Sequence, residues 1–261
     1  DRTAFDGTSL EPRVGLDGSW SLTPSFTLDA TVHPDFGQVE VDPAVVNLTA
    51  FETFFPEKRP FFTEDTRLFD FHLSGPRRIL FHSRRIGDEP VGTPPAGADV
   101  SDVPGVTDIL GAAKLSGRTA GGTTVGVLGA VTAEEEGRAF FRDSGRTETF
   151  VAQPRETFGA ARVRQDLRDG ATTVGAMLTG VRRALPGTGS FDHLLETALA
   201  GGVDFEHQWG GPRDRRYALW GYASGSYVSG SPEALIRVQR DANHLFQRPD
   251  AGYEDVDSTA T

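Results

Sequence analysis

Residues 194–228 read LLETALAGGVDFEHQWGGPRDRRYALWGYASGSYV, and the fold turns on how that stretch is parsed. Leu195, Leu199, Val203, Phe205 and Trp209 share one parity, while Glu196, Ala198, Ala200, Gly202, Asp204, Glu206 and Gln208 share the other. A period of two sends these sets to opposite faces of a β-strand, one apolar and one small or charged. The polar run Gly210-Gly211-Pro212-Arg213-Asp214 then turns the chain, and Tyr217 to Tyr227 returns extended. The stretch predicts one antiparallel hairpin.

The same pattern recurs upstream. Ile109, Gly111, Ala113 and Leu115 alternate with polar partners, and after Thr119-Ala120-Gly121-Gly122 the alternation resumes through Val125, Val127, Gly129 and Val131. A second pair runs over 157–167 and 172–181, turning at Arg168-Asp169-Gly170. Nearer the start, Trp20, Leu22, Phe26, Leu28, Ala30 and Val32 read as one half-buried strand over 19–33, with Pro24 marking an edge or a bulge. Polar connections at 134–155 and 182–193 separate the hairpins, so tight turns alternate with long loops. The predicted fold class is all-β: an antiparallel up-and-down β-barrel or a strongly curved meander sheet.

Composition narrows the function classes. The chain has 261 residues, a formal charge of −11 and no cysteine, which removes disulfides and thiolate metal sites. The acidic balance argues against nucleic acid, which needs clustered Lys and Arg to neutralise phosphate. With 31 Gly and 16 Pro, a mainly helical protein is disfavoured. No apolar run approaches the roughly 20 residues of a transmembrane helix, whereas a membrane β-strand needs only about 9–11 alternating residues. On the polar parity of the hairpins lie Lys114, Arg118, Arg162, Arg164, Asp166, Asp204 and Glu206. The opposite parity is aliphatic, with Trp209, Tyr217 and Tyr227 near strand ends, the distribution of a lipid-facing belt around a polar lumen.

Residues 34–105 have a different texture and read as a plug-like or covering segment; 106–248 read as the regular hairpins. Asp42-Pro43 opens a predicted helix that Pro56 stops, and a helical, Phe-rich segment over about 43–62 is expected on or inside the sheet. Phe51-Glu52-Thr53-Phe54-Phe55-Pro56-Glu57-Lys58-Arg59-Pro60-Phe61-Phe62 interleaves rings that need cover with charges that need partners. Residues 68–71 and 79–87 read as short strands or extended segments, and 88–105 as a loop or linker. The whole of 1–261 reads as a single β-rich domain, an excerpt of a longer barrel.

That Phe-rich block, together with Val32-His33-Pro34-Asp35-Phe36-Gly37-Gln38-Val39-Glu40-Val41-Asp42-Pro43, Ser83-Arg84-Arg85-Ile86-Gly87, Ile109 to Arg118, and Gln247-Arg248-Pro249-Asp250, resembles the signature of a bacterial domain family of unknown function. The resemblance implies a neighbouring family-9-type carbohydrate-binding module in most members, and a C-terminal region like an outer-membrane β-barrel. It carries no established activity.

The candidate site residues follow from these readings. Glu57, Lys58 and Arg59, with Arg84, Arg85, Arg162 and Arg164, could hold an anionic or sugar ligand; alternatively the Glu57-Lys58-Arg59 cluster is a latch whose charges pair with lumen residues such as Arg84, Arg85, Asp204 or Glu206. Asp204 and Glu206 project from one strand face at a spacing that permits glycosidase chemistry, and Glu57 and Asp65 extend that set of weak catalytic candidates. The six histidines show no close ligand pairing, and neither a metal nor another cofactor is expected. The leading expectation is a bacterial outer-membrane β-barrel protein linked to glycan binding, uptake or surface display, with outer-membrane lipid and a poly- or oligosaccharide as partners. The alternatives are a secreted or periplasmic β-rich glycoside hydrolase, and a structural surface protein.

Overall fold

A computed structural model describes residues 14–34, 56–71, 73, 79–211, 215–241 and 255–257. The strand at Val39 and Val41, the helix from Asp42 to Phe55 and the Gln247–Asp250 block lie outside the described residues.

Among the described residues, eleven strands make two sheets. β1 (Leu16–Thr23), β2 (Phe26–Val32), β4 (Ile109–Arg118), β5 (Thr123–Thr132), β8 (Glu156–Leu167), β9 (Thr172–Arg183), β10 (Leu195–Trp209) and β11 (Tyr217–Gly230) form one antiparallel sheet in that order. β3 (Val100–Asp102), β6 (Glu135–Phe141) and β7 (Arg146–Gln153) form a second, three-stranded sheet. The large sheet does not close, which makes it the curved-meander alternative. Two short helices, α1 (Pro60–Thr63) and α2 (Pro232–Gln239), complete the regular structure.

The three expected hairpins are present as β4–β5, β8–β9 and β10–β11. Four tight connections, β1–β2, β4–β5, β8–β9 and β10–β11, lie at one rim of the sheet. The long connections from β2 to β4, β5 to β8 and β9 to β10 lie at the other.

Three local readings are corrected. The single strand over 19–33 is two strands, because Pro24-Ser25 is a turn: proline fixes φ and supplies no ladder donor, so the chain reverses there. Residues 134–155 are not a loop but the β6–β7 hairpin, and the segment over 88–105 contributes β3 to it. Gly137, Ala139 and Ala152 are buried, but the charges of Glu135, Glu136, Arg138, Arg146 and Glu148 on both parities mask the alternation. Residues 68–71 and 79–87 are extended only in part, with Leu80 N–H donating to the Phe71 carbonyl at 3.4 Å; 3-10 turns at Thr66–Phe69 and Ser83–Arg85 interrupt them, and Phe69 and Phe71 pack into the core beneath the sheet.

Register assigns every residue of the large sheet to a face. One face gathers Trp20, Leu28, Leu115, Val127, Val163, Leu178, Leu199, Val203 and Phe205, linked by pairs such as Leu115↔Val127 and Phe205↔Val174. This face is open, with Leu178 56% and Val203 55% exposed. The other face gathers Asp29, Lys114, Ser116, Arg162, Met177 and Asp204, and from β2 to β9 it is covered: Lys114 is 1% and Arg162 3% exposed, while Trp220 at the β11 edge is 62% exposed. The cover is the segment 56–86, whose Phe62, Phe69, Phe71 and Ile86 pack with Ala112, Leu128, Ala130, Phe158, Ala160 and Met177 into the main core.

Candidate functional site

The covering segment is held together by one buried ion pair. Pro60 at the first position of α1 cannot be an internal donor, so the chain enters the helix from an extended Arg59. The Arg59 guanidinium grips Glu57 with two bonds of 2.8 Å, from Nε to Oε1 and from Nη2 to Oε2. It also donates to the carbonyls of Ser83 (2.7 Å) and Ile86, and lies 4.4 Å from the centre of the Phe62 ring. Ser83 Oγ completes the cluster by donating to Glu57 Oε2 at 2.6 Å. Every polar edge is satisfied, which is the condition under which a buried pair is tolerated. Burial pushes the Glu57 carboxyl up, but the bonds and charge of Arg59 and the Ser83 hydroxyl outweigh it and hold the group below its ordinary value.

Three contacts join this unit to the sheet. Lys114 Nζ donates to the carbonyls of Phe61 (3.1 Å) and Glu64 (2.9 Å) and stands 3.7 Å from Asp29. Ser116 Oγ donates to Asp65 Oδ2 at 2.7 Å; Asp65 adopts a left-handed backbone, which Asp tolerates better than most residues. Arg162 lies 5.2 Å from the Phe71 ring while both its terminal nitrogens donate to Asp204, at 2.6 and 2.7 Å. Two glycines make these approaches possible. A Cβ at Gly126 would stand 2.4 Å from Leu68, and one at Gly202 would stand 2.7 Å from Phe71.

Between the segment and the sheet a cavity of about 670 Å³ remains. Asp65, Arg67 and Asp70 line it from the segment side, and Arg118, Arg162, Arg164 and Asp166 from the sheet side. Two of these guanidiniums are committed, Arg162 to Asp204 and Arg118 to Asp166 at 2.7 Å. The side chains of Arg67, Arg164 and Asp70 have no hydrogen-bond or ion-pair partner among the described residues.

The sequence candidates thus separate into groups. Glu57 and Arg59 meet each other, with Lys58 beside them donating its backbone N–H to Glu57 Oε1 at 3.1 Å. Beyond each other, Arg59 donates to the carbonyls of Ser83 and Ile86 in the adjoining turn, and Glu57 accepts from the Ser83 hydroxyl. Arg84 and Arg85 occupy that turn, half-buried and exposed respectively. Asp65, Arg162 and Arg164 line the common cavity. Asp204 and Glu206 do share a face, but Asp204 is spent on Arg162 and Glu206 accepts from Gln208. Sequence reasoning missed Arg67 and Asp70: Asp70 lies in the run 68–71, which reads as a short strand or extended segment, and Arg67 just before it. The signal that could have found them is the Asp-x-Arg-x-x-Asp spacing immediately after the Phe-rich block.

On the open face the strands are long: β4, β5, β8, β9, β10 and β11 run from 10 to 15 residues. Register places no Asp, Glu or Lys on that face, and its cationic or imidazole side chains, Arg182 and His207, sit close to strand ends. At the tight-turn rim His207, Trp209 and Tyr217 stack in series, with ring centres 5.5 and 5.6 Å apart. No helix among the described residues is long and apolar enough to cross a membrane.

No curated protein and no solved structure matches the chain. A family model described as Domain of unknown function (DUF5916) matches residues 2–183, from the first residues through the Phe-rich block and the tucked segment to the end of β9. The chain therefore belongs to that family.

Proposed function

We propose that this domain forms wall and plug of a bacterial outer-membrane β-barrel that binds or takes up glycans. The observation that carries the membrane part is the inversion of the sheet's faces, with Val203 and Leu178 open and Lys114 and Arg162 covered. Monomers in water rarely expose contiguous apolar faces beyond a few hundred Å², and exposed apolar side chains here run from Trp20 in β1 through Val127, Val163, Leu178 and Val203 to Leu219 in β11. Strand length, the charge-free belt and the stacked aromatic rim all support the same reading. The disposition of connections gives an orientation: tight turns toward the periplasm, long connections and the β3–β6–β7 sheet toward the exterior. The glycan part is supported by the polar cavity and by the carbohydrate-binding module that the family resemblance implies nearby. The hydrolase alternative draws no support from Asp204, both of whose oxygens are bound by Arg162.

The test is fluorescence of Trp20, isolated by replacing Trp209 and Trp220 with Phe, after reconstitution into vesicles. Trp20 lies on the open face, and brominated acyl chains should quench it strongly while aqueous iodide does not. Full emission in brominated lipid, with ready iodide quenching, would remove the membrane reading.

A further inference from the structure

The cavity between the tucked segment and β8 holds more charge than the fold consumes. Arg162 and Arg118 each bind a carboxylate of the protein itself, whereas Arg67 and Arg164 approach the cavity from its two walls without one among the described residues. A guanidinium is a planar fork of donors matched to a carboxylate, and two of them facing one space select an anion of that shape. The same space is lined by the unpartnered carboxylate of Asp70 and by the hydroxyl-bearing Thr63 and Thr124. A small inorganic anion would leave those acceptors idle, and Asp70 would repel it. A ligand that carries both a carboxylate and many hydroxyl groups uses every wall. The volume, about 670 Å³, falls within the roughly 300–1,000 Å³ range of small-ligand pockets and accommodates a short oligosaccharide.

We infer that this cavity binds an acidic oligosaccharide, with Arg67 and Arg164 taking a uronate carboxylate from opposite walls and Asp70 accepting sugar hydroxyls. Arg67 belongs to the tucked segment and Arg164 to β8, so the ligand bridges plug and wall. Arg118 and Thr124 flank the β4–β5 turn and Asp166 lies beside the β8–β9 turn, which puts the cavity toward the tight-turn rim. The inference rests on the glycan part of the proposed function and not on the membrane part.

The experiment is calorimetric titration of the full chain in detergent micelles with trigalacturonate, maltotriose and acetate at one ionic strength. Trigalacturonate should bind at least tenfold tighter than maltotriose, and acetate should not compete at millimolar concentration. Arg67→Gln and Arg164→Gln should each weaken trigalacturonate binding tenfold or more, while Arg146→Gln, in the separate sheet and paired with Glu148, should leave it unchanged. Neither arginine has a structural partner to lose, so both variants should keep the parent's unfolding midpoint. Equal affinity for the neutral and acidic trisaccharides would overturn the acidic-sugar site while leaving glycan binding intact. Binding of neither sugar would overturn both, and equal competition by acetate would reduce the site to a simple anion pocket. Undiminished binding by Arg67→Gln and Arg164→Gln would place the ligand elsewhere.

Discussion

Val203 and Asp204 are consecutive residues of β10, yet one is open and apolar while the other is held by a buried arginine beneath the tucked segment. The same contrast holds over β2, β4, β5, β8 and β9, whereas β1 and β11 are largely exposed on both faces. A β-domain in water hides its hydrocarbon and shows its charge, because exposed apolar surface costs about 25 cal/mol per Å². Here the sheet hides Lys114 and Arg162 and shows Leu178 and Val203. Hiding charge demands compensation at each position: Lys114 uses two carbonyls of the segment and the nearby Asp29, and Arg162 uses both oxygens of Asp204. Showing hydrocarbon demands a medium that does not penalise it. The covered face is therefore specified by individual bonds, and the open face by the absence of charge along its middle, Arg182 lying near a strand end. Mutations on the two faces should fail in different ways.

The largest effect belongs to the covered side. Arg59→Ala leaves Glu57 buried with its principal cation gone, which should cost about 3–5 kcal/mol in chemical unfolding. The Glu57 carboxyl is held below its ordinary value of 4.5, so its ionised form is worth more in the folded chain than in the unfolded one. That contribution is complete above the ordinary value and disappears as pH falls through the lowered one. A pH series of unfolding midpoints should show this acid loss in the parent and a flatter profile in Glu57→Gln. An unchanged acid limb in Glu57→Gln would assign the loss to other carboxylates.

The open side should respond to charge and depth instead. Val203→Arg, near the middle of β10, should cost about 2–4 kcal/mol in vesicles, whereas His207→Arg, near the strand end, should cost about 0–1 kcal/mol. On a water-facing strand both substitutions would stay within about 0.5 kcal/mol. Unfolding titrations of the two variants side by side therefore separate a lipid belt from a wet surface, and equal small effects would favour water.

The open face was legible in the sequence because a period of two survives wherever one parity carries no charge. The rows through Val125, Val127, Leu199 and Val203 needed no tertiary information, and register places them on one face as expected. The β6–β7 hairpin shows the limit: Glu135, Glu136, Arg138 and Glu148 overwhelm the small buried residues Gly137, Ala139 and Ala152, and the stretch reads as a loop. The covered face was legible only as composition. The charges of Glu57 and Arg59 among rings show in the sequence as a cluster, but their bonds to Ser83 and Ile86 join residues more than 20 positions apart with no periodic signature. Pro24 was read as an interruption of a strand when it is the turn between two, because a proline at an edge and a proline in a turn look alike without register.

The smallest expected effect tests whether segment and sheet are one cooperative unit. Ser116 and Leu115 are neighbours in β4 that point to opposite faces, Ser116 to the segment and Leu115 to the open row. Ser116→Ala removes the hydroxyl that donates to Asp65 and should cost about 1 kcal/mol, since Asp65 is exposed and regains water as a partner. Leu115→Thr keeps a β-forming residue on the open face and alters no bond of the segment. If the segment opens independently, Ser116→Ala should speed hydrogen exchange of Phe62, Thr63, Glu64 and Leu68 while the ladder amides of β5 and β8 keep their protection. Leu115→Thr should leave the segment's exchange untouched. Faster exchange in both regions after Ser116→Ala would instead make the covering segment part of the sheet's own folding unit. A plug that leaves only when the wall unfolds could not serve as a gate, so this small measurement decides whether the 56–86 segment is a movable closure or a permanent half of the core.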